Sequence, residues 1–596
     1  MRSQGRGHVR LTPRALHALV ALVGASALAG ADADRVAAQF QVPDSLSGWA
    51  RFQGEIGSYA EVYSSTGGPA RRPGSTGRLF LRSDLTLFEN VSVGLNLLYS
   101  TEGSSDVGLH GSARRQQINQ IGIAPTWNWG RAYLGSFTDS YSSLTWGGTR
   151  VQGAGAAVQP GPVRFGAFVG RGQRAVAGGP LDGAYKRTMA GGRIGYGRGS
   201  QDDDGGYVDL VFIRAADDPS SLATPGEIIP GDPTAPGTPF AVTPQENVVM
   251  AAVTQLPFLS GHLVWTGEAA VSVFSRDRRA PQLTEAAVQD HSSLLRGLIT
   301  PRASTYGDVA YKARLELRRT SLPGALPSRP RSITGSLGFR YIGAGYVSLG
   351  VASLPADQRA VDAALSVRFP RWSASLRGLR QNDNLLGQKL ATTGRTHTSG
   401  TLTYRLTQRL TTSLRGSYSA VGSDASAPDL RLDYRNWMGA ADQTLSLGAG
   451  SAVRSVGVGY TFRRAGDDNP LRSASSLVAH DARVRGTLQP MRNVTLTPSV
   501  GIAVTRQGGI GWATRQTYGA ATHVRTGDGR LATTLSVFSS RLPSNDALRA
   551  ALTTRFRFTG QDLLTASLSS NQVEGLPDRG GFAEYTFSLQ WSRRFQ

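Results

Sequence analysis

The chain has no cysteine, five methionines and only three lysines, at positions 186, 312 and 389. Without cysteine there is neither a disulfide framework nor a thiolate metal site. The eight histidines (8, 17, 110, 262, 291, 397, 480 and 523) stand apart, with no His-Glu-x-x-His and no close pair. That spacing excludes zincin-type ligation. Long apolar runs are also missing. Past Ala31 no stretch approaches the eighteen residues that a spanning helix needs. Hydrophobic residues make up 40% and mean hydropathy is −0.22, too polar for a helical membrane protein. Any insertion beyond the N-terminus must therefore use strands, which lipid tolerates only in a closed barrel.

What is present is arginine, glycine and alternation. Lys and Arg total 64 against 42 Asp and Glu, a net charge of +22, and nearly all of the positive charge is arginine. Arg pairs two-pronged with phosphate or carboxylate. The arginines are spread along the chain rather than gathered in a basic patch, so nucleic acid is not the expected partner. Asp202-Asp203-Asp204 and Asp467-Asp468-Asn469 lack EF-hand spacing and read as solvated turns. Glycine runs such as GRGQR follow no helix pattern, which removes phosphate-loop readings. No Ser/His or Asp/His constellation can be assembled. The expectation is a non-enzyme without catalytic residues, cofactor or metal.

At the N-terminus, Arg2, Arg6, Arg10 and Arg14 precede an apolar run from Ala15 to Ala31, then small residues. This is the pattern of a secretory signal peptide, residues 1–38, with cleavage after Ala38 and with Ala31 and Ala33 as alternatives. Residues 39–47 are expected as a short periplasmic segment, with no separate plug domain, and 48–596 as the barrel.

The last fifteen residues read FAEYTFSLQWSRRF and a final Gln. Tyr585, Phe587, Leu589, Trp591 and Phe595 fall on one side of a strand, and Glu584, Thr586, Ser588 and Gln590 on the other. The same alternation recurs in segments near ten residues long, joined by connections that alternate short and long. That rhythm belongs to a transmembrane barrel with tight periplasmic turns and long extracellular loops. The reading is an all-β chain, a single large antiparallel transmembrane β-barrel of about 26 strands (range 22–26). The C-terminal residues Tyr585, Phe587, Leu589, Trp591 and Phe595 are expected as assembly signal and lower aromatic girdle. Three spots fit the rhythm poorly: Pro498 within a strand, short connections near Gly509 and Pro543, and the long Pro-rich turn after Leu322.

Charged residues on the polar faces are expected to line the lumen, because charge at membrane depth is costly on the lipid side. They are Arg78 and Arg82, then Lys312, Arg314, Glu316 and Arg318, then Arg483 and Arg485, and finally Arg549, Arg555 and Arg557. Within the long loop 276–304, the stretch LTEAAVQDHSSLLRGLI (Leu283 to Ile299) mixes apolar residues and helix formers. It reads either as a short helix folded into the lumen as a constriction or as a surface loop.

The stretch YLGSFTDSYSSLTWGGTRVQGAGA (Tyr133 to Ala156) resembles a segment of large, uncharacterised outer-membrane barrel proteins, and is loosely similar to fimbrial ushers and other secretion barrels. The resemblance implies an outer-membrane location. It implies lipid and lipopolysaccharide as surroundings, the barrel-insertion machinery as a partner, and a periplasmic or secretion partner of unknown kind. The expected function is a channel or export pore with a polar, Arg-containing lumen plugged by long loops. The alternative is a structural or assembly barrel without conductance that serves secretion or surface display.

Overall fold

From Ala50 to Phe595 the chain runs back and forth as antiparallel strands, and the last strand pairs with the first. The computed structural model describes residues 49–595, apart from 69, 89, 102–118, 177–182, 199–204, 223–241, 284–298, 319–331, 352, 449, 509–510, 543 and 576–580. The expected signal peptide and segment 39–47 lie outside the described residues, as does the Pro-rich turn after Leu322.

One sheet holds 26 strands. Closure is carried by Gly54↔Phe595 through Thr66↔Ala583, thirteen residue pairs in one register. It leaves no free edge to recruit another chain. Strand lengths run from 8 residues (Gln120–Trp127) to 17 (Ala50–Thr66). A ten-residue strand tilted by ~40° rises ~25 Å, the height of an outer-membrane apolar band. At ~4.8 Å between strands, 26 tilted strands give a wall on the order of 160 Å around. Pro498 sits opposite Gly486, in a gap of the ladder between Arg485↔Ser499 and Leu488↔Leu496. Its missing N–H thus falls where that ladder is interrupted.

The two faces of the wall differ. One presents exposed Leu79, Val169, Leu210, Leu337, Leu376, Val458, Val500 and Leu568. At the short-turn end the same face carries aromatic pairs: Phe369 with Trp372 at 4.2 Å, and Phe52 with Phe595 at 4.9 Å. An exposed apolar band above an aromatic rim is what lipid and its interface require of a spanning barrel. The outward face therefore meets the membrane.

The opposite face is concave. The connection 138–150, between strands Gly130–Phe137 and Val151–Val158, touches strands Leu263–Ser275 and Thr305–Leu317, five and six strands further round. Only a chord across the inside of the barrel is short enough for that reach.

Candidate functional site

The inner wall is built in two parts. In the first, the inward faces of consecutive strands carry Phe168, Met189, Val211, Ile213, Val249, Ala251 and Val253, all buried in one apolar cluster. Lipid does not cover them, and neither does water: the connections 138–150 and 343–357 fold inward onto them. Sequence reasoning expected a polar, Arg-containing lumen plugged by loops; in this sector the inward side chains are apolar and covered by inward-folded connections.

Local chemistry makes 138–150 compact. The Ser142 hydroxyl accepts from the amides of Leu144 (3.2 Å) and Thr145 (3.0 Å) and closes a turn. That turn joins two short strands, Ser140–Ser142 and Trp146–Gly147. Trp146 is fully buried, stacked on Phe168 at 3.8 Å and edge-on to Tyr141 at 5.0 Å. Its indole N–H donates to the Thr149 carbonyl at 2.9 Å, so its polar edge is satisfied. Gly166 faces Tyr141, where a Cβ would stand 2.8 Å from the hydroxyl, so a larger residue would push the ring aside.

Glu268, on Leu263–Ser275, latches this segment to the wall. Its carboxylate accepts from the Leu144 amide at 2.9 Å and from the Ser142 hydroxyl, and pairs with Lys312 at 2.7 Å. The Lys312 ammonium also donates to the Ser143 hydroxyl. Glu268 itself is buried. A buried carboxylate persists as an ion only when paired and hydrogen-bonded in this way.

The second inward connection locks the first. The Tyr346 hydroxyl donates to the Leu144 carbonyl at 2.9 Å, and the Ser348 hydroxyl to the Thr145 carbonyl at 2.5 Å. The Gly147 amide reaches the Gly350 carbonyl at 3.2 Å. The backbones approach so closely that a Cβ on Gly350 would stand 2.4 Å from the Thr145 oxygen. Asn247 ties the same connection to the wall, donating to Val347 at 3.1 Å and accepting from the Leu349 amide at 3.0 Å. At its far end Asp357 pairs with Lys389 at 2.5 Å and accepts from the Leu385 amide at 2.8 Å. Burial works to raise the Asp357 carboxyl, but Lys389 and the amides of Leu385 and Asn384 outweigh it and hold it below the usual range. The carboxylates of Asp357 and Asp383 raise Lys389 in turn.

On sequence grounds the stretch Leu283 to Ile299 reads either as a helix folded into the lumen or as a surface loop. Residues 284–298 lie outside the described residues. Its end, Ile299, packs on Val248 and Val273, which alternate with the inward Val249 and Ser272 and so face outward. Arg278, at the start of the same connection, lies 3.5 Å from outward Glu246. These described parts lie on the outer wall, and the described inward connections are 138–150 and 343–357.

The second part of the inner wall is open and basic. Register carries the inward face from Lys312 through Arg340, Ala360 and Gln381 into the strands from Trp372–Asn382 to Asp546–Arg557. There it presents hydroxyls, glycines and exposed arginines. Arg415 and Arg515 lie in one cross-strand row through Ala440, Thr461, Asp481 and Ala503. Along these strands the inward acids are Asp442, Asp467 and Asp481. Arg377, Arg415, Arg485, Arg515, Arg555 and Arg557 have no carboxylate within ion-pair distance among the described residues.

The sequence-selected charges fall into both parts. Arg78 and Arg82 stand opposite Tyr59 and Glu55 on the inward face. Lys312 is in the latch. Arg314 pairs with Glu316 at 2.7 Å and with Asp362 at 3.3 Å, and Arg318 lies 3.9 Å from Glu316. Arg483 pairs with Asp442 at 3.1 Å, and Arg549 donates to Asn571 at 3.1 Å. Arg485, Arg555 and Arg557 belong to the open arc. Tyr585, Phe587, Leu589, Trp591 and Phe595 take the outward face, opposite Ser64, Val62, Ala60, Ser58 and Gly54. Sequence reasoning missed Glu268, Trp146, Tyr346 and Asn247. It also missed the buried pair Arg164–Asp209 at 2.8 Å, whose guanidinium lies 4.0 Å over the Tyr207 ring.

No family model matches the chain, and no curated protein matches it. Among solved structures it is similar to the P pilus usher PapC translocation pore, at 9% identity over 91% of this chain and 99% of that chain, with a TM-score of 0.33. It is similar to the ferric enterobactin receptor PfeA of Pseudomonas aeruginosa, at 10% identity over 91% and 81% of the two chains, TM-score 0.39. It is also similar to OccAB2 of Acinetobacter baumannii, at 10% identity over 60% and 94%, TM-score 0.30.

Proposed function

We propose that the chain is an outer-membrane channel or export pore. Its passage runs along the basic arc, beside the inward-folded connections, and favours anions. The observation that carries this reading is the division of the inner wall. One sector is filled and latched, while the other is open and lined by arginines, six of which have no carboxylate within ion-pair distance among the described residues. Fixed charge along a wide lumen sets selectivity without closing it. A barrel that served only as scaffold would have its inner charges braced in pairs, as Arg314, Glu316 and Asp362 are.

The outward C-terminal residues, ending on Phe595, are in this reading the segment that insertion machinery recognises. A periplasmic secretion partner would meet the short-turn rim. Liposome swelling tests the passage. A neutral sugar should enter, a sugar acid of the same size should enter faster, and an amino sugar more slowly. Replacing Arg415, Arg485, Arg515 and Arg555 by Gln should abolish the charge preference while neutral entry continues. Equal entry of acid and amine, or none of any solute, would favour the scaffold reading.

A further inference from the structure

The outer wall carries a second basic feature, which the passage does not use. Tyr418, Trp437, Arg464, Val478, Arg506 and Trp512 form one cross-strand row on six adjacent strands, near their long-loop ends. Each alternates with inward residues, so the row faces lipid. Two residues higher along the strands, Arg380 and Arg435 share a second outward row through Thr396 and Ala420. Arg435 is held by Asp433 and Asp468, both at 3.2 Å. Arg464 and Arg506 are exposed and have no carboxylate partner among the described residues. Arg506 lies 5.4 Å over the Trp512 ring. Arg464 is opposite Trp437, whose ring is 4.2 Å from Tyr418.

Two residues along each strand toward the short turns, ~6.6 Å deeper, the wall changes character. Gly400, Gly416 and Gly439 line up across three strands. The wall is recessed beside them, in a lipid-facing groove of about 530 Å³ walled by Leu365, Leu376, Leu402 and Leu414. Cationic forks thus sit at the level of head groups, flanked by aromatics, and an apolar groove lies at acyl depth to one side, its near wall at Leu414 two strands from Arg464.

We propose that this patch binds an anionic lipid of the outer leaflet: a phosphorylated glycolipid whose phosphate is gripped by Arg464 and Arg506. A lone interfacial arginine would only snorkel among head groups in general. Two unpaired guanidiniums two strands apart, ~10 Å, can engage phosphate two-pronged and discriminate for it. The inference concerns the outer wall alone and stands whether or not the barrel conducts.

The test is lipid retention. Full-length barrel is purified from nanodiscs containing the phosphorylated glycolipid or its dephosphorylated form, washed with detergent, and weighed by native mass spectrometry. Wild type should keep the phosphorylated lipid and lose the other. R464Q/R506Q should retain at least roughly tenfold less, as expected for two lost charge-assisted contacts. The inward variant R415Q/R515Q should retain it like wild type, and all three proteins should show the same heat-dependent gel mobility, reporting intact barrels. Equal retention of both lipids, or undiminished retention by R464Q/R506Q, overturns the proposal. Displacement of the lipid by millimolar inorganic phosphate would assign the arginines to a free anion and overturn the lipid assignment.

Discussion

Unlatching Glu268 should loosen the inner fold without harming the barrel. Glu268→Ala removes the acceptor for the Leu144 amide and the Ser142 hydroxyl, and leaves Lys312 without its carboxylate. Breaking a fully buried pair costs about 3–5 kcal/mol. Lys312 is 38% exposed and can take up water, so the loss here is nearer 2–3 kcal/mol. That corresponds to a 30–150-fold rise in the displaced fraction of 138–150. Trp146 still holds the segment, since burying a large aromatic is worth about 3–5 kcal/mol. Glu268→Ala alone should therefore give brief openings, and Glu268→Ala with Trp146→Ala a steady larger one. Replacing 139–149 by a short Gly-Ser turn should give the largest. The assay is single-channel recording of purified barrel in planar bilayers, with gel mobility confirming that the 26-strand ladder survives. A deletion variant whose conductance equals wild type would refute the claim that 138–150 narrows the passage.

Other outcomes follow from the same geometry. Gly350→Val should separate the two inward connections, because its side chain would collide with the Thr145 carbonyl; it should raise conductance as Glu268→Ala does, and unchanged conductance would show that the contact yields elsewhere. Asp209→Ala strands a buried guanidinium, so it should lower barrel stability by about 3–5 kcal/mol, measured in urea, whereas Asp528→Ala in an exposed turn should have little effect. The Asp357–Lys389 tie depends on pH with a definite sign. Asp357 titrates below its unfolded value, so its contribution is present above about pH 4 and is lost as pH falls through its depressed pKa. Lys389 titrates above its unfolded value, so its contribution is complete below about pH 10 and is lost as pH rises through its raised pKa. Hydrogen exchange across 383–392, corrected for intrinsic rates, should be flat from pH 5 to 9 and faster only outside; acceleration between pH 5 and 7 would contradict the assignment. Phe595→Ala removes the ring that stacks on Phe52 and should slow assembly more than it lowers the stability of assembled barrel, which pulse-chase insertion can separate from unfolding.

The barrel was legible because its rule is local. Tyr585, Phe587, Leu589 and Trp591 alternate with polar neighbours, and each such segment announces a strand with one oily face. Repeating that reading to the strand near Trp49 gives 26 strands, the number in the sheet. The filled sector was not legible in the same way, because a connection's direction depends on partners far along the chain. Glu268 meets Ser142 across 126 positions and Tyr346 meets Leu144 across 202. A signal was nonetheless present. Val248 to Val253 is an unbroken apolar run, whereas a strand between lipid and water alternates. Such a strand needs a second apolar environment inside the barrel, and Leu144 and Trp146, set in a serine-rich connection, are what fill it. The long stretch 276–304 drew attention by its length and helix formers, but helix-forming composition says nothing about which side of a wall a segment lies on.

A barrel that conducts along its arginine-lined arc should pass anions in preference to cations. The most direct measurement is the reversal potential of wild-type barrel in a planar bilayer under a tenfold potassium chloride gradient. Open channels should show a potential displaced toward the chloride equilibrium value, and it should shift back toward zero when Arg415, Arg485, Arg515 and Arg555 become Gln. A cation-selective pore, or a protein electrically silent both as wild type and after loss of 139–149, would contradict that expectation.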